Sequence, residues 1–257
     1  MNLFSRFMLP IAGGIFALLV YLYLTLPDVR PMVSVNPNTT AFMQMRVDEA
    51  KAVGYLLRHE QQFVPYSEIS NYLKRAVLIA EDDSFWKHEG VDFIQLRKSV
   101  EDSLRQGTAM RGASTITQQL AKNLYLSPSR SPLRKLRELI IARRLEAELS
   151  KLRIFELYLN LIEWGDGIWG AEAASQWYFE TSASSLNPRQ AALLAAAIIN
   201  PRVLDPTHPN GRLKQRQHMI LERMGISLGE VPSPVTLPNI DFLDFEGTGF
   251  NFSPLTP

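Results

Sequence analysis

The chain has 257 residues, of which 46% are hydrophobic and 21% charged, so it can build one large globular domain or two small ones. It contains no cysteine, which excludes disulfides, thiol catalysis and cysteine-ligated metals. The net charge of +1 conceals a local bias, because residues 97–153 carry 13 Lys and Arg against 5 Asp and Glu. Such a cationic region in an otherwise acidic chain predicts that an anionic ligand binds there.

Near the amino terminus, the stretch from Phe7 to Pro27 contains no charged residue. About 20 apolar residues in a helix are enough to cross the hydrocarbon core of a bilayer. We therefore predict a transmembrane anchor over residues 7–27, after a short tail of residues 1–6. A cleavable signal peptide is the alternative, but no small-residue cleavage motif follows the apolar run. We expect the bulk of the chain to lie outside the cytoplasm.

Beyond this stretch the sequence predicts a mainly α fold. Residues 28–40 are rich in Pro, Asn and Thr and are typical of a linker, whereas residues 41–228 show helical patterns and few strand patterns. Ser131 and Asn187 each precede a proline at the start of such a pattern, as helix N-caps do. Residues 229–257 have many prolines and no helical period, which predicts an extended or mobile tail.

An acidic cluster follows the apolar run "AVLIA", in the sequence "AEDDSFWKHEGVD" of residues 80–92. Helical spacing places Glu81 on the same face as Val77 and Leu78, and the same helix would reach His88 if it continued toward Gly90. Partial burial would raise the proton affinity of Glu81 and make it a better base. Two readings stay open from this segment alone: a solvated helix end and a general base.

The next informative segment is "RGASTITQQLAKN", residues 111–123. It predicts a helix capped by Ser114 or Thr115, with an apolar line beside a broad polar face. The polar face carries hydroxyls, two adjacent amides and Lys122, which suit a hydroxylated or phosphorylated ligand. An ordinary polar helix face is the alternative.

A third segment, "RKLRELIIARRLEAELSK", covers residues 134–151. Arg134 and Lys135 lie four and three residues before Glu138, so the three side chains share one helix face. A carboxylate between two cations is expected to stay ionised and to orient cations, a metal ion or a phosphate. A solvated ion-pair helix is the alternative.

A fourth segment, "ELYLNLIEWGDGIWGAEAASQWYF", covers residues 156–179 and mixes glycines with three Trp and two Tyr. The aromatic side chains could form a sugar-stacking wall or belong to the core. Asn160 is its candidate polar contact.

The order and spacing of these segments carry more information than each one alone. Together with "LNPRQAALLAAAIINP" at residues 186–201, they resemble the bacterial peptidoglycan glycosyltransferases of glycosyltransferase family 51. The resemblance covers roughly residues 76–206. It implies a mostly α-helical, lysozyme-like glycosyltransferase domain within residues 41–228. The expectation is a monofunctional member without a penicillin-binding transpeptidase domain.

The resemblance also implies a reaction. Such enzymes polymerise glycan chains at the outer face of the bacterial cytoplasmic (inner) membrane, with lipid II as acceptor and a growing lipid-linked glycan as donor. Glu81 falls on the proposed general base, which deprotonates the acceptor 4-hydroxyl as it attacks the donor anomeric carbon. Undecaprenyl pyrophosphate leaves, and the β-1,4 bond forms with inversion. Glu138 falls on the second catalytic glutamate, assigned to the pyrophosphate side.

Further site residues carry over from the resemblance. Asp82 belongs to the first motif of the family and is expected to contact the substrate or its pyrophosphate. The family's phosphate or sugar contacts fall on Arg111, Ser114, Gln118, Gln119, Lys122, Arg134 and Lys135. The sequence shows no required cofactor, and the resemblance allows a divalent cation (Mg or Mn) held through Glu138. Expected partners are lipid II, the glycan, the bilayer and other cell-wall synthesis or division proteins, and no nucleic acid is expected.

One position departs from the family pattern, because many relatives have an acid where this chain has Gln190. An acidic role at that position is therefore in doubt. Two rival functions remain, a lytic enzyme that uses a glutamate as general acid and an inactive membrane-anchored scaffold. The segment of residues 92–106 adds a further alternative, since its apolar line with flanking cations fits either anionic lipid headgroups or packing against the core.

Overall fold

The computed structural model describes residues 3–107, 112, 114–127, 129 and 131–226. Within them the fold is mainly helical. The α-helices are α1 (Leu3–Thr25), α2 (Ala41–Ala52), α3 (Asn71–Glu81), α4 (Phe93–Gln106), α5 (Ile116–Tyr125), α6 (Pro132–Glu148), α7 (Lys151–Leu161), α8 (Ala171–Phe179), α9 (Pro188–Ala197) and α10 (Gly211–Arg223). Short 3-10 helices lie at Arg30–Val33, Tyr66–Glu68, Phe85–Lys87 and Ala183–Ser185.

The three described strands are very short and form one sheet in the order β1-β3-β2. They are β1 (Glu60–Gln61), β2 (Glu163–Gly165) and β3 (Ile168–Trp169). β1 pairs in parallel with β3, with Glu60 opposite Ile168, and β2 pairs antiparallel with β3 around a bulge. Through this sheet, the segment that connects α2 to α3 pairs with the turn that connects α7 to α8.

Local sequence explains where several helices begin. The hydroxyl of Thr115 accepts from the backbone N–H of Gln118 at 3.2 Å, and that of Ser131 accepts from Arg134 at 3.1 Å. Asn187 and Gln190 form a reciprocal capping box at the start of α9. The predicted caps at Ser131 and Asn187 are thus confirmed, and at α5 the cap is Thr115. Gln190 has a structural task that needs an amide or a carboxylate but no acidity.

The core lies between two groups of helices. In one, α9 packs against α3 and α10, and its run of alanines and leucines at residues 191–197 is buried throughout. In the other, α5 packs against α2, α6 and α7, and burial of Ile116, Leu120 and Leu124 confirms the predicted apolar line of α5. The carboxyl end of α3 reaches the second group at α5, where Glu81 contacts Gln119.

The predicted anchor of residues 7–27 lies almost entirely within α1. Of the predicted anchor, the helical conformation is confirmed in α1. Among the described residues and side chains, no helix is both long and apolar enough to cross a bilayer. The membrane-spanning role of residues 7–27 stays a prediction.

The predicted linker of residues 28–40 is held on the body of the domain at several points. Val29 is buried, and the guanidinium of Arg153 in α7 donates to the carbonyls of Met32 and Val35, each at 2.9 Å. The end of α1 is also held, since Arg137 donates to the carbonyl of Thr25 at 2.7 Å. The predicted tail of residues 229–257 lies outside the described residues.

Candidate active site

The geometry of the site begins with the end of α3. Asp82 leaves the helical conformation (φ −166°, ψ 81°), and its carboxylate accepts from the backbone N–H of Ile116 at 2.9 Å and contacts His88 Nε2 at 3.1 Å. The amino terminus of α5 stabilises a negative charge at this place. The helix therefore ends at Glu81 and does not continue toward Gly90, and a contact 34 residues away holds the chain after it.

Glu81 lies partly buried, with a neutral hydrogen-bond partner. Its Oε2 accepts from Nε2 of Gln119 in α5 at 2.9 Å. Burial raises the pKa of Glu81, while the Gln119 hydrogen bond and the cations Arg216 and Lys122 oppose that rise. The net direction is upward, as predicted from its place on the apolar stripe. A carboxylate in this setting binds a proton more readily than a solvated one, which suits a general base.

The Gln119 amide is itself held from the other side. Its Oε1 accepts from the hydroxyl of Tyr158 in α7 at 3.0 Å, and Tyr158 is fully buried. Tyr158 is not among the site residues predicted from the sequence. The available signal was a tyrosine in an apolar helix face, since a buried tyrosine hydroxyl usually needs a partner.

A cation cluster surrounds Glu138, whose side chain is 4% exposed. Arg134 Nη1 lies 2.6 Å from one carboxylate oxygen, and Lys135 Nζ contacts the other. Lys135 Nζ also donates to Oε1 of Gln118 at 3.1 Å and to the hydroxyl of Ser114 at 3.3 Å. The predicted shared face is confirmed, and Glu138 fixes the positions of two cations that outnumber it in charge.

Lys122 interacts electrostatically with both glutamates. Burial lowers the pKa of its ammonium group, Glu138 opposes this, the cations Arg134 and Lys135 lower the pKa further, and Glu81 opposes it again. No acid of the described chain lies within ion-pair distance of Lys122. The ammonium group is therefore a cation for which the described part of the protein supplies no direct counter-ion.

Two predicted substrate contacts need correction. Asn160 is fully buried, and its amide exchanges hydrogen bonds with the backbone of Val64 at 2.9 and 3.0 Å and donates to the carbonyl of Glu156. It holds the chain before α3 against α7, and its side chain has no accessible surface to offer a ligand. Asp82 is 5% exposed, and its oxygens accept from protein donors, so it braces the start of α5 beside Glu81.

The remaining predicted residues divide in a similar way. Gln118 is buried, with its amide group donating to the carbonyl of Gly90 at 3.2 Å, so it orients Lys135. Arg111 lies outside the described residues. Of the aromatic wall considered for residues 156–179, Trp164 and Trp169 belong to the core, and only Trp177 is exposed, under the guanidinium of Arg58.

The donor set around Glu138 does not fit a metal ion held by the protein alone. Both carboxylate oxygens already contact cations. Among the described residues, no group of three His, Asp or Glu side chains could hold a metal. A divalent ion shared between Glu138 and a phosphate would have to displace Arg134 or Lys135. We therefore derive no step through a metal.

Comparison with known proteins gives a consistent result. The transglycosylase family profile matches residues 49–225. A biosynthetic peptidoglycan transglycosylase of Herminiimonas arsenicoxydans is 44% identical over 223 residues, covering 87% of this chain and 95% of that protein. Proteins of the same name from Janthinobacterium sp. (strain Marseille) and Aromatoleum aromaticum are 46% and 52% identical, over 85% and 65% of this chain and 94% and 73% of theirs.

Proposed function

Because the chain belongs to the transglycosylase family, we propose that it is a peptidoglycan glycosyltransferase that polymerises lipid II into β-1,4-linked glycan strands, releasing undecaprenyl pyrophosphate. The observation that carries this proposal is the pairing of a partly buried carboxylate, Glu81, with a cluster of cations that includes Lys122. A base and an anion site are the two requirements of glycosyl transfer from a pyrophosphate.

The proposed reaction assigns a role to each end of the site. Glu81 takes the proton of the acceptor 4-hydroxyl as that oxygen attacks the donor anomeric carbon. The bond from that carbon to the pyrophosphate oxygen breaks, and the new glycosidic bond forms on the opposite face. Charge develops on the pyrophosphate, and Lys122, Arg134 and Lys135 bind it more strongly as it leaves. Glu138 holds the latter two cations in place.

A lytic function is the rival enzymatic reading. Glycan cleavage by a lysozyme-like mechanism needs a carboxylic acid that donates a proton and has no use for a pyrophosphate clamp. The cations around Glu138 therefore favour synthesis. The neutral amide that donates to Glu81 also supports its ionised form, which a base requires and an acid does not.

The decisive experiment incubates the purified full chain with labelled lipid II and follows polymer length. Glu81→Gln should abolish growth, and the matched control Glu89→Gln, at an exposed glutamate of the same segment, should keep it. Fragmentation of finished glycan would instead identify a lytic enzyme. No reaction by the unaltered chain, with binding of cell-wall proteins retained, would identify a scaffold.

We also propose that the protein is attached to the outer face of the cytoplasmic membrane through α1, with α4 resting on the lipid surface. The support is the uncharged sequence from Phe7 to Pro27 and the composition of α4. All of α4 is described and none of its residues is buried, while Phe93, Ile94 and Leu104 are each at least 70% exposed. The exposure of these apolar side chains favours the lipid-surface alternative over packing against the core.

Membrane attachment can be tested with a single label, since the chain has no cysteine of its own. Lys214→Cys, at an exposed position of α10, should react with a membrane-impermeant maleimide added outside spheroplasts. Labelling only after lysis would place the domain on the cytoplasmic side and contradict the proposal. For α4, amide exchange at residues 93–106 should slow on addition of anionic vesicles, and unchanged exchange would remove α4 from the lipid surface.

A further inference from the structure

We infer that Tyr158 is a positioning residue for the base, because its hydroxyl fixes which end of the Gln119 amide faces Glu81. This inference rests on the proposed function of Glu81. Tyr158 does not touch the reacting atoms, and it acts only through Gln119.

Two hydrogen bonds in series link three helices, α7, α5 and α3. Tyr158 in α7 donates to Oε1 of Gln119 in α5 at 3.0 Å, and Nε2 of Gln119 donates to Oε2 of Glu81 at the end of α3 at 2.9 Å. Tyr158 is completely buried, since its accessible fraction is 0%. Bulk solvent therefore cannot reach the hydroxyl and replace this hydrogen bond.

The direction of these two hydrogen bonds follows from the donors and acceptors available. A carboxylate only accepts, and an amide has one donating and one accepting end. If the amide of Gln119 turned over, its carbonyl oxygen would face the Glu81 carboxylate. The hydroxyl hydrogen of Tyr158 would also lose the acceptor that it has among the described residues. A buried donor without a partner is costly, so the hydroxyl selects the orientation in which Nε2 faces Glu81.

The donor remains a donor at every pH of interest. Burial raises the pKa of Tyr158 well above its usual value, and Glu81 and Asp82 add to this. The hydroxyl therefore keeps its proton wherever the enzyme is assayed. Other charged groups that face Glu81 are Asp82 beside it, Lys122 of α5 and Arg216 of α10. All three remain when the Tyr158 hydroxyl is removed, so their effect on Glu81 is unchanged.

Loss of the hydroxyl frees the amide to adopt both orientations. In the turned orientation a protonated Glu81 can donate to Oε1 of Gln119, so the variant stabilises the wrong protonation state of the base. The acidic limb of kcat/KM against pH should then move upward, by up to about one pH unit, as for loss of part of one charge-assisted hydrogen bond. On that limb the rate falls by up to about tenfold, while the KM for lipid II and the rate at high pH change little.

The test compares pH–rate profiles on lipid II for the unaltered chain and Tyr158→Phe. Tyr66→Phe is the matched control, because the buried hydroxyl of Tyr66 has no hydrogen-bond partner in the described structure and its removal should leave the limb in place. Thermal unfolding of each variant confirms that it is folded. A Gln119→Leu background supplies a double-mutant cycle, in which Tyr158→Phe should add no further shift.

The outcomes separate the positioning role from a structural one. An upward shift in Tyr158→Phe that disappears in the Gln119→Leu background supports the inference. A limb that stays in place, or an equal loss of rate at every pH, overturns it. If Glu81→Gln still polymerises lipid II, the proposed base itself is wrong. If Glu81→Gln is inactive and the Tyr158→Phe limb does not move, only the positioning role fails.

Discussion

Glu81 and Glu138 are the same residue type in one site, yet their surroundings differ in kind. Glu138 is contacted by two cations, whereas Glu81 is contacted by a neutral amide and feels its cations only at a distance. Direct contact with Arg134 and Lys135 compensates the charge of Glu138 and holds the two cations in place. Burial without such contact leaves Glu81 able to bind and release a proton. The nearest partner of each carboxylate therefore decides its role more than its own chemistry does.

The largest test of this contrast is Glu81→Gln. We expect a rate loss of about 10²–10⁴-fold, the usual contribution of a general base. Folding stability should be unchanged or slightly higher, because a desolvated carboxylate is replaced by a neutral group that Gln119 can still contact. Lipid II turnover and thermal unfolding, measured on the same preparation, check both parts. If Glu81→Gln lost as much stability as Glu138→Gln, the two glutamates would not differ in the way described here.

Glu138→Gln should show the opposite pattern. It leaves Arg134 and Lys135 without their shared anion, and we expect a stability loss of about 1–3 kcal/mol, below that for a fully buried pair because Lys135 is 42% exposed. Denaturant unfolding measures the loss. Glu101→Gln, which removes one partner of an exposed pair on α4, is the matched control and should cost far less. Equal effects in the two variants would contradict the structural role of Glu138.

The pH dependence of the rate sharpens the same comparison. Because burial raises the pKa of Glu81, activity should rise with pH through a value above that of a solvated glutamate and fall as Glu81 is protonated on the acid side. A pH–rate profile at fixed ionic strength gives the midpoint. A midpoint at or below the ordinary glutamate value would show that the cations dominate over burial at Glu81.

The smallest expected effect concerns Lys74, a buried cation that forms no ion pair in the described structure. Lys74 is 3% exposed, its ammonium group lies over the Tyr66 ring and donates to the side chain of Asn71, and burial lowers its pKa to about 8. Between about pH 8 and the usual lysine pKa, the unfolded chain holds the proton that the folded chain has lost. Stability should therefore rise with pH across this window. Lys74→Met should stabilise the fold by about 1–2 kcal/mol at neutral pH and flatten that rise, as followed by thermal unfolding.

Local patterns predicted those parts of the site that depend on helix phase. The shared face of Arg134, Lys135 and Glu138 and the partial burial of Glu81 both follow from three- and four-residue spacing. Asn160 and Tyr158 could not be assigned in this way, because their partners lie 96 and 39 residues away. The end of α3 depends likewise on a contact between Asp82 and Ile116. Sequence spacing determines which side chains share a face, and tertiary contacts determine what each face meets.

The attachment of residues 28–40 to the domain has a consequence for how the enzyme would search for substrate. A domain on a flexible tether explores a volume, and its active site meets a lipid-linked substrate in many orientations. Here Arg137 and Arg153 bind the end of α1 and the segment after it to α6 and α7. With α1 in the bilayer, the site around Glu81 would keep one height and one orientation. Encounter with lipid II would then be a two-dimensional diffusion problem, limited by how fast the two molecules drift in the membrane plane.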